Sequence, residues 1–327
     1  MAEPQTATYT YKVVGGLSLT IDISRPRHLP EPGIVLIHFH GGFLVIGEKT
    51  TFPPHWLINA CQARGWTYAT ASYRLMPEAT GLEILSDTLD AVRWVHQNIS
   101  DRIIIAGSSA GGYLALATGA HPECPKPLSI LSIYGMLDPA SKRYIESGVP
   151  LRAPVGNLET ALEEIGTVAN SGQSIDGYAF PNEPLIDQRF RWIGAIHEAA
   201  RYPDLLTRIP GLAGHIREVG VSAIPVYFRG LFPVSFRLSS EFPPTILLHG
   251  DSDELVDFEQ SALVADKMKS LGIDVHLERA VGQGHGFEVK SSINLDAMEM
   301  EGEDGTMKAV LRRVIMALEA AVAKVNF

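Results

Sequence analysis

Three groups of residues in this chain have the types and spacing for acyl-transfer chemistry, and the first is built around a serine. Arg102-Ile-Ile-Ile-Ala106 is a short apolar, β-branched run, the pattern of a buried strand. It leads directly into Gly107-Ser108-Ser109-Ala110-Gly111-Gly112, and Tyr113-Leu-Ala-Leu-Ala-Thr118 then reads as helix. Strand, sharp turn and helix are the context in which Gly-x-Ser-x-Gly lifts a serine hydroxyl to the mouth of a site. Gly107 and Gly111 remove side chains where strand and helix converge. Ser109 then stands near the positive end of a helix dipole. Alone, the pentapeptide describes a glycine-rich turn with a capping serine. The flanking strand and helix make Ser109 a candidate nucleophile.

A serine hydroxyl attacks only when a base takes its proton, and the base is oriented by a carboxylate. Around an elbow of this kind the chain order is serine, acid, histidine. The chain has 11 histidines, so context must choose among them. His285 lies in Gly282-Gln-Gly-His285-Gly-Phe287, a glycine-flanked loop after the strand-like Val275–Val281, and not on an apolar face. The acid should follow the preceding strand, Pro244–Gly250, where Asp251, Asp253, Glu254 and Asp257 compete. Asp251 reads as a turn residue bonding its own backbone. Asp257 reads as the N-cap of a helix opening at Phe258. Asp253, at the loop apex, is preferred by position.

The third group would hold the negative charge that develops on a carbonyl oxygen. Backbone N–H groups aimed at that oxygen supply much of the rate in such reactions. One donor should be the amide after the nucleophile, Ala110, and the others should come from a loop after an early strand. Ile34-Val-Leu-Ile-His38-Phe-His40-Gly41-Gly42-Phe43 has that form, with Gly41 and Gly42 as donors.

These residues resemble the hormone-sensitive-lipase-like carboxylesterase branch of the α/β-hydrolase superfamily. His40-Gly41-Gly42 is similar to its HGGG motif, and Gly107–Gly112 to its GDSAGG elbow. Tyr73-Arg74-Leu75-Met76-Pro77-Glu78 resembles its YRLAPE signature, with Asp87 and Asp90-Ala-Val-Arg-Trp94-Val in the helix that follows. The resemblance runs from about residue 34 to 290. It implies Ser109 as nucleophile, His285 as base, Asp253 as acid, and Gly41, Gly42 and Ala110 as oxyanion donors. Two positions depart from the pattern. Phe43 replaces the third glycine and is expected to bind substrate by narrowing the acyl pocket. Ser108 replaces the aspartate before the nucleophile, which leaves that residue's bonding open.

The elements that must position these groups alternate. Residues 8–14 and 17–25 read as two antiparallel strands joined at Gly15-Gly16. Strands follow at Ile34–Phe39, Trp66–Tyr73, Arg102–Ala106 and Leu128–Tyr134, with helices between them. The expected fold class is α/β, a mostly parallel sheet with helices on both faces and an inserted helical cap. In such sheets ligands sit at the carboxyl ends of the strands, where every motif above falls. The alternation stops near Asp138 and resumes near Pro243. Residues 1–137 and 243–327 are therefore read as the core and 138–242 as the cap. Helices are expected in the cap at Leu158–Val168, Arg189–Ala200 and Pro203–Arg208. Its aromatics (Tyr178, Phe180, Phe190, Trp192, Tyr202, Tyr227, Phe228, Phe232 and Phe236) should mostly pack its own core, a few lining the pocket. Thr306–Val325 repeats apolar residues at helical spacing. The acidic run Glu299–Asp304 before it reads as a solvated loop.

Composition bounds the function. With 327 residues and 46% apolar side chains the chain can bury a substantial core. A formal net charge of -10 without a Lys/Arg cluster argues against nucleic-acid binding. No apolar run has the length of a membrane span. The first residues lack a basic segment followed by an apolar one, so no secretion signal is expected. Cys61 and Cys124 are far apart, which suits packing roles in a reducing cytoplasm. No metal-ligand spacing and no cofactor motif are present, so no metal or cofactor is implied. The expected chemistry is serine ester hydrolysis through an acyl-enzyme on a small or medium, largely apolar ester. The alternative is a non-hydrolytic lyase, dehydratase or cyclase using the same donors. A non-catalytic small-molecule receptor fits less well, because receptors of this fold have lost the histidine retained here. Oligomeric state is left open.

Overall fold

A run of strands buried on both faces reads as near-continuous β-branched and apolar sequence, and Ile103–Ser108 sits accordingly near the centre of the sheet. The computed structural model describes residues 5–26, 33–290, 295 and 303–324. Eight strands are formed: β1 (Gln5–Val14), β2 (Leu17–Arg25), β3 (Val35–Phe39), β4 (Thr67–Ala71), β5 (Ile103–Ser108), β6 (Ser129–Ile133), β7 (Thr245–Gly250) and β8 (Val275–Ala280). Their order is β1-β2-β4-β3-β5-β6-β7-β8. β1 and β2 form the expected hairpin, and β2 runs antiparallel to β4. The remaining pairs are parallel.

Three helices fall between the early strands: α1 (His55–Ala63), α2 (Gly81–Asn98) and α3 (Ala110–Gly119). The long β6–β7 excursion carries α4 (Lys142–Ile145), α5 (Leu158–Ala169), α6 (Gln188–Glu198), α7 (Tyr202–Thr207), α8 (Leu212–Val219) and α9 (Pro233–Phe236). Then come α10 (Phe258–Ser270) and α11 (Glu303–Lys324). Side chains alternate along β5 to feed two cores. Ile103 and Ile105 join α2, α3 and α10 on one face, while Ile104 and Ala106 join α1 and α11 on the other. α2 begins at a capping box: Glu83 N–H donates to Thr80 Oγ1 (3.3 Å) and Thr80 N–H to Glu83 Oε2 (2.7 Å).

The three helices expected in the excursion are α5, α6 and α7. Three more, α4, α8 and α9, span only four to eight residues each; α8 buries Leu212, Ala213 and Ile216 on one face, but over too short a run to mark a helix in the sequence. Trp192, Tyr202 and Phe232 are buried, but in one cluster continuous with the sheet core and not in a separate core of the excursion, because α7 packs against α2. Tyr227 is 77% exposed. α11 begins at Glu303, so Glu303 and Asp304 open a helix rather than end a loop; residues 299–302 lie outside the described residues. Among the described residues no helix is long and apolar enough to cross a membrane. Cys61 and Cys124 are both free.

Candidate active site

The turn after β5 is forced into an uncommon backbone conformation. Ser109 has φ 57° and ψ −118°, a region that costs a non-glycine residue about 1–3 kcal/mol. Its amide donates to Ile133 O at 2.8 Å, tying the turn to the end of β6. The convergence is too close for side chains. A Cβ on Gly107 would sit 2.0 Å from Gly111 O, and one on Gly111 2.0 Å from Phe39 O. α3 starts at the next residue, Ala110, so the unpaired amides of its first turn open beside Ser109.

The loops after β7 and β8 emerge side by side because those strands pair through Gly250 and Ala280. They bring His285 Nδ1 to 2.6 Å from Asp253 Oδ2. A carboxylate only accepts, so Nδ1 carries the proton and a neutral ring keeps Nε2 free to take one. Asp253 Oδ1 accepts from the amides of Leu255 (2.9 Å) and Val256 (3.0 Å). His249 Nε2 lies 3.3 Å from Oδ2 on the far side. Burial works against ionisation of Asp253. Hydrogen bonds from His249 and His285, the positive charge His285 carries once it takes a second proton, and the Val256 amide outweigh it and hold the carboxyl well below the usual range.

The competing aspartates do other work. Asp251 was expected to bond its own turn, but it reaches across to Gly282 N–H (2.6 Å) and Arg279 Nε (2.8 Å), because the adjacent loop is nearer than its own backbone. Asp257 stands at the N-cap of α10, yet its carboxylate makes no cap bond. The Gln260 amide closes on the Asp257 carbonyl instead (3.0 Å), which removes the donor a cap would satisfy.

The third wall is the loop after β3. A Cβ on Gly41 would lie 3.0 Å from Ser109 Cβ and 3.7 Å from Ser109 Oγ, so this backbone runs against the serine. Gly42 turns at φ 112°, and its carbonyl accepts from Val45 (2.9 Å) and Ile46 (3.0 Å) amides. His40 braces the loop: Nδ1 donates to Gly41 O at 2.7 Å, and Tyr73 stacks on the ring at 4.2 Å while its hydroxyl donates to His40 O (2.8 Å). Burial lowers His40 to about 4, so the ring is neutral. Phe43, at φ 56°, lies edge-on to His197 of α6, with centroids 4.8 Å apart. Ser108 Oγ meets His38 Nε2 at 3.0 Å, which answers the question its sequence position left open. Burial pushes His38 down to about 3.

Ser109, His285, Gly41, Gly42 and Phe43 line one cavity of about 650 Å³. Ala110 is fully buried beside it at the start of α3. Phe180, Leu185 and Phe190 of the excursion form its opposite wall. The excursion is anchored by Arg189, which donates to Val45 O (2.8 Å) and Met76 O (3.1 Å) and pairs with Glu78. Sequence reasoning missed Arg189, His249, Tyr134 and Glu288. Arg189, Tyr134 and Glu288 act across 111 to 154 residues, beyond any local pattern, whereas His249 lies only four residues from Asp253 and reads in the sequence as a strand residue alone. Among the described residues no group of three or more His, Cys, Asp or Glu side chains is placed to hold a metal.

Comparisons with known proteins follow the same division. Residues 36–154, which carry the glycine loop and the elbow, match a family described as alpha/beta hydrolase fold. Residues 227–301, with Asp253 and His285, match the prolyl oligopeptidase family. The chain is 25% identical over 313 residues to the non-reducing polyketide synthase Preu6 of Preussia isomera, covering 87% of this chain and 14% of the synthase. It thus spans about a seventh of that relative. It is 24% identical over 322 residues to the probable carboxylesterase M8 of a Phoma species, covering 89% of this chain and 92% of M8. Two solved structures share the fold at 17% identity. One is a protein of unknown function from Staphylococcus aureus (TM-score 0.68, covering 97% of this chain and 99% of that one). The other is esterase 2 of Thermogutta terrifontis phosphonylated by sarin (TM-score 0.59, 100% and 97%). Sheet order, elbow, glycine loop and family match together give this chain the α/β-hydrolase fold, and its motifs resemble the hormone-sensitive-lipase-like branch.

Proposed function

We propose that this chain is a serine ester hydrolase working through an acyl-enzyme. The observation that carries the reading is the 2.6 Å bond from His285 to Asp253, with His285, Ser109 and the Gly41-Gly42 backbone on one cavity. In this reading His285 Nε2 takes the Ser109 proton as Oγ attacks the carbonyl carbon. The amides of Gly41, Gly42 and Ala110 hold the oxyanion. His285 returns the proton to the leaving alcohol, and a water activated by the same nitrogen releases the acid. Asp253 keeps the imidazole in the required tautomer. Residues 1–137 and 243–327 serve as the catalytic core and 138–242 as a cap that closes the cavity from above.

The wall supports a small or medium, largely apolar substrate, with Phe43, Phe180, Leu185 and Phe190 facing the serine. The names of M8 and of the Thermogutta esterase support an oxygen ester. Two free cysteines fit a reducing compartment, and the cytoplasm is the proposed location.

The test is turnover of p-nitrophenyl esters of graded acyl length, with fluorophosphonate labelling of the serine in parallel. Ser109→Ala should abolish labelling and lower turnover by on the order of a millionfold, with little change in Tm. More than a tenth of wild-type activity in that variant rules out Ser109 as nucleophile. A trapped covalent adduct on Ser109 separates the hydrolase from a lyase or cyclase on the same fold.

A further inference from the structure

Behind His285 lies a buried pair that acyl transfer does not itself consume. Tyr134 follows β6 at φ 38°, a conformation unfavourable to an aromatic residue, with its amide held on Leu248 O at 2.6 Å. There its ring packs against the His285 imidazole, centroids 4.4 Å apart and tilted by 51°. Its phenol donates to Glu288 Oε1 at 2.7 Å. Glu288 is fully buried three residues beyond His285, in the short turn Phe287–Lys290, and its Oε2 has no hydrogen-bond partner. An ionised carboxylate so fully buried, met only by the neutral Tyr134 phenol and backbone amides, is strongly disfavoured.

Building on the acyl-transfer reading, we propose that Tyr134 and Glu288 are a positioning pair for His285: the buried carboxyl, in its acid form, anchors the phenol whose ring fixes the imidazole's face while Asp253 fixes its edge. Burial pushes Glu288 up to about 7 against the hydrogen bonds from Tyr134 and nearby amides. Asp253 acts on the Tyr134 phenol, His285 packs on its ring, and His38 reaches it through Ser108. α1, packed on the Phe287–Lys290 turn, carries buried Cys61 and exposed His55, and α11, in the same core as Phe287, carries Lys308, Arg312 and Arg313. The sign of the linkage follows. A glutamate of ordinary pKa about 4.3 in the unfolded chain binds its proton less tightly than Glu288 does in the fold. Native stability therefore falls as pH rises from about 4.3 to about 7 and is flat above. Ionisation also places an anion behind His285, which favours the protonated imidazole and delays general-base function to higher pH.

The experiment uses the full chain with Glu288→Gln and Tyr134→Phe. It reads the rate of fluorophosphonate labelling of Ser109, which needs no known substrate, and the Tm, both from pH 5 to 8. Glu288→Gln keeps an acceptor for the phenol. Its Tm should lose the decline across this window, and the pH midpoint of its labelling should move lower than wild type. Tyr134→Phe keeps the ring but releases the anchor, and its labelling rate should fall several-fold at every pH. Labelling profiles identical to wild type in both variants, whatever the Tm, overturn the pair. Wild-type protein that takes no label counts against acyl transfer instead. The Tm arm then decides alone, and an unchanged pH slope in Glu288→Gln overturns the buried-acid basis of the pair.

Discussion

The two walls of the cavity are held in different ways. On the sheet side, Ser109, Asp253 and His285 stand on loops tied by hydrogen bonds: the serine amide to Ile133, the carboxylate to two amides and two imidazoles, the imidazole to the carboxylate. On the excursion side, Phe180 and Phe190 meet through ring edges at 5.9 Å, and Leu185 is 95% exposed. Hydrogen bonds have steep distance and angle requirements and set atoms within tenths of an ångström. Apolar contacts tolerate repacking. The first wall is therefore built for chemistry, which a small misplacement destroys. The second is built for recognition, which can change while the chemistry stays.

That contrast can be broken in graded steps. Asp253→Asn should lower kcat by about 10⁴-fold, because the amide favours the wrong tautomer of His285. Asp251→Asn should cost less than tenfold, since that side chain only ties the two loops together. Comparable kcat losses in the two purified variants would contradict the assignment of Asp253. Asp257→Asn should barely change either activity or Tm, its carboxylate being idle as a cap.

Arg189→Met attacks the boundary between the walls. It leaves Glu78, of which 7% is exposed, as a buried carboxyl without its partner, and breaking such a pair costs about 3–5 kcal/mol. Denaturant unfolding should show that loss, with KM raised more than kcat is lowered. Adding Glu78→Gln should restore part of the stability. A kcat collapse with KM unchanged would mean that the excursion also holds the chemistry.

A small but selective effect is expected at Phe43. Phe43→Gly should raise kcat/KM for bulky acyl esters relative to acetate by a few-fold. Glycine accepts the φ of 56° without strain, which offsets the entropy it adds to the loop. An unchanged ratio would assign Phe43 to packing against His197 alone.

Much of the sheet side was legible because its signals are local. β5 announces itself by four consecutive apolar residues before a glycine, and the elbow, the glycine loop and the His285 loop each occupy a few adjacent positions. The strand order also leaves a trace, since alternation with helices demands parallel pairing. What escaped is non-local. Tyr134 and Glu288 are 154 residues apart and Arg189 and Glu78 are 111 apart, and no periodicity joins such partners. Asp257 shows the opposite error. Its position satisfied a local rule, and the backbone had already met the need that the rule supplies.

The places where the excursion leaves and rejoins the sheet have a consequence for how this chain can vary. Met136 N–H is bonded to Ser109 O at 3.2 Å on the way out, and Pro244 O receives the Ile130 amide at 2.9 Å on the way back. Departure and return are thus fixed to neighbouring strands before any excursion residue is counted. The entropy of closing a loop between fixed ends grows only with the logarithm of its length, about 0.6 kcal/mol per doubling. Insertions and deletions in the exposed connections between the excursion's helices therefore meet little thermodynamic resistance from the sheet, while its buried helices and Arg189 must be kept. Length in those connections becomes a free variable, and descendants of this chain can vary their recognition surface while inheriting one unaltered catalytic register.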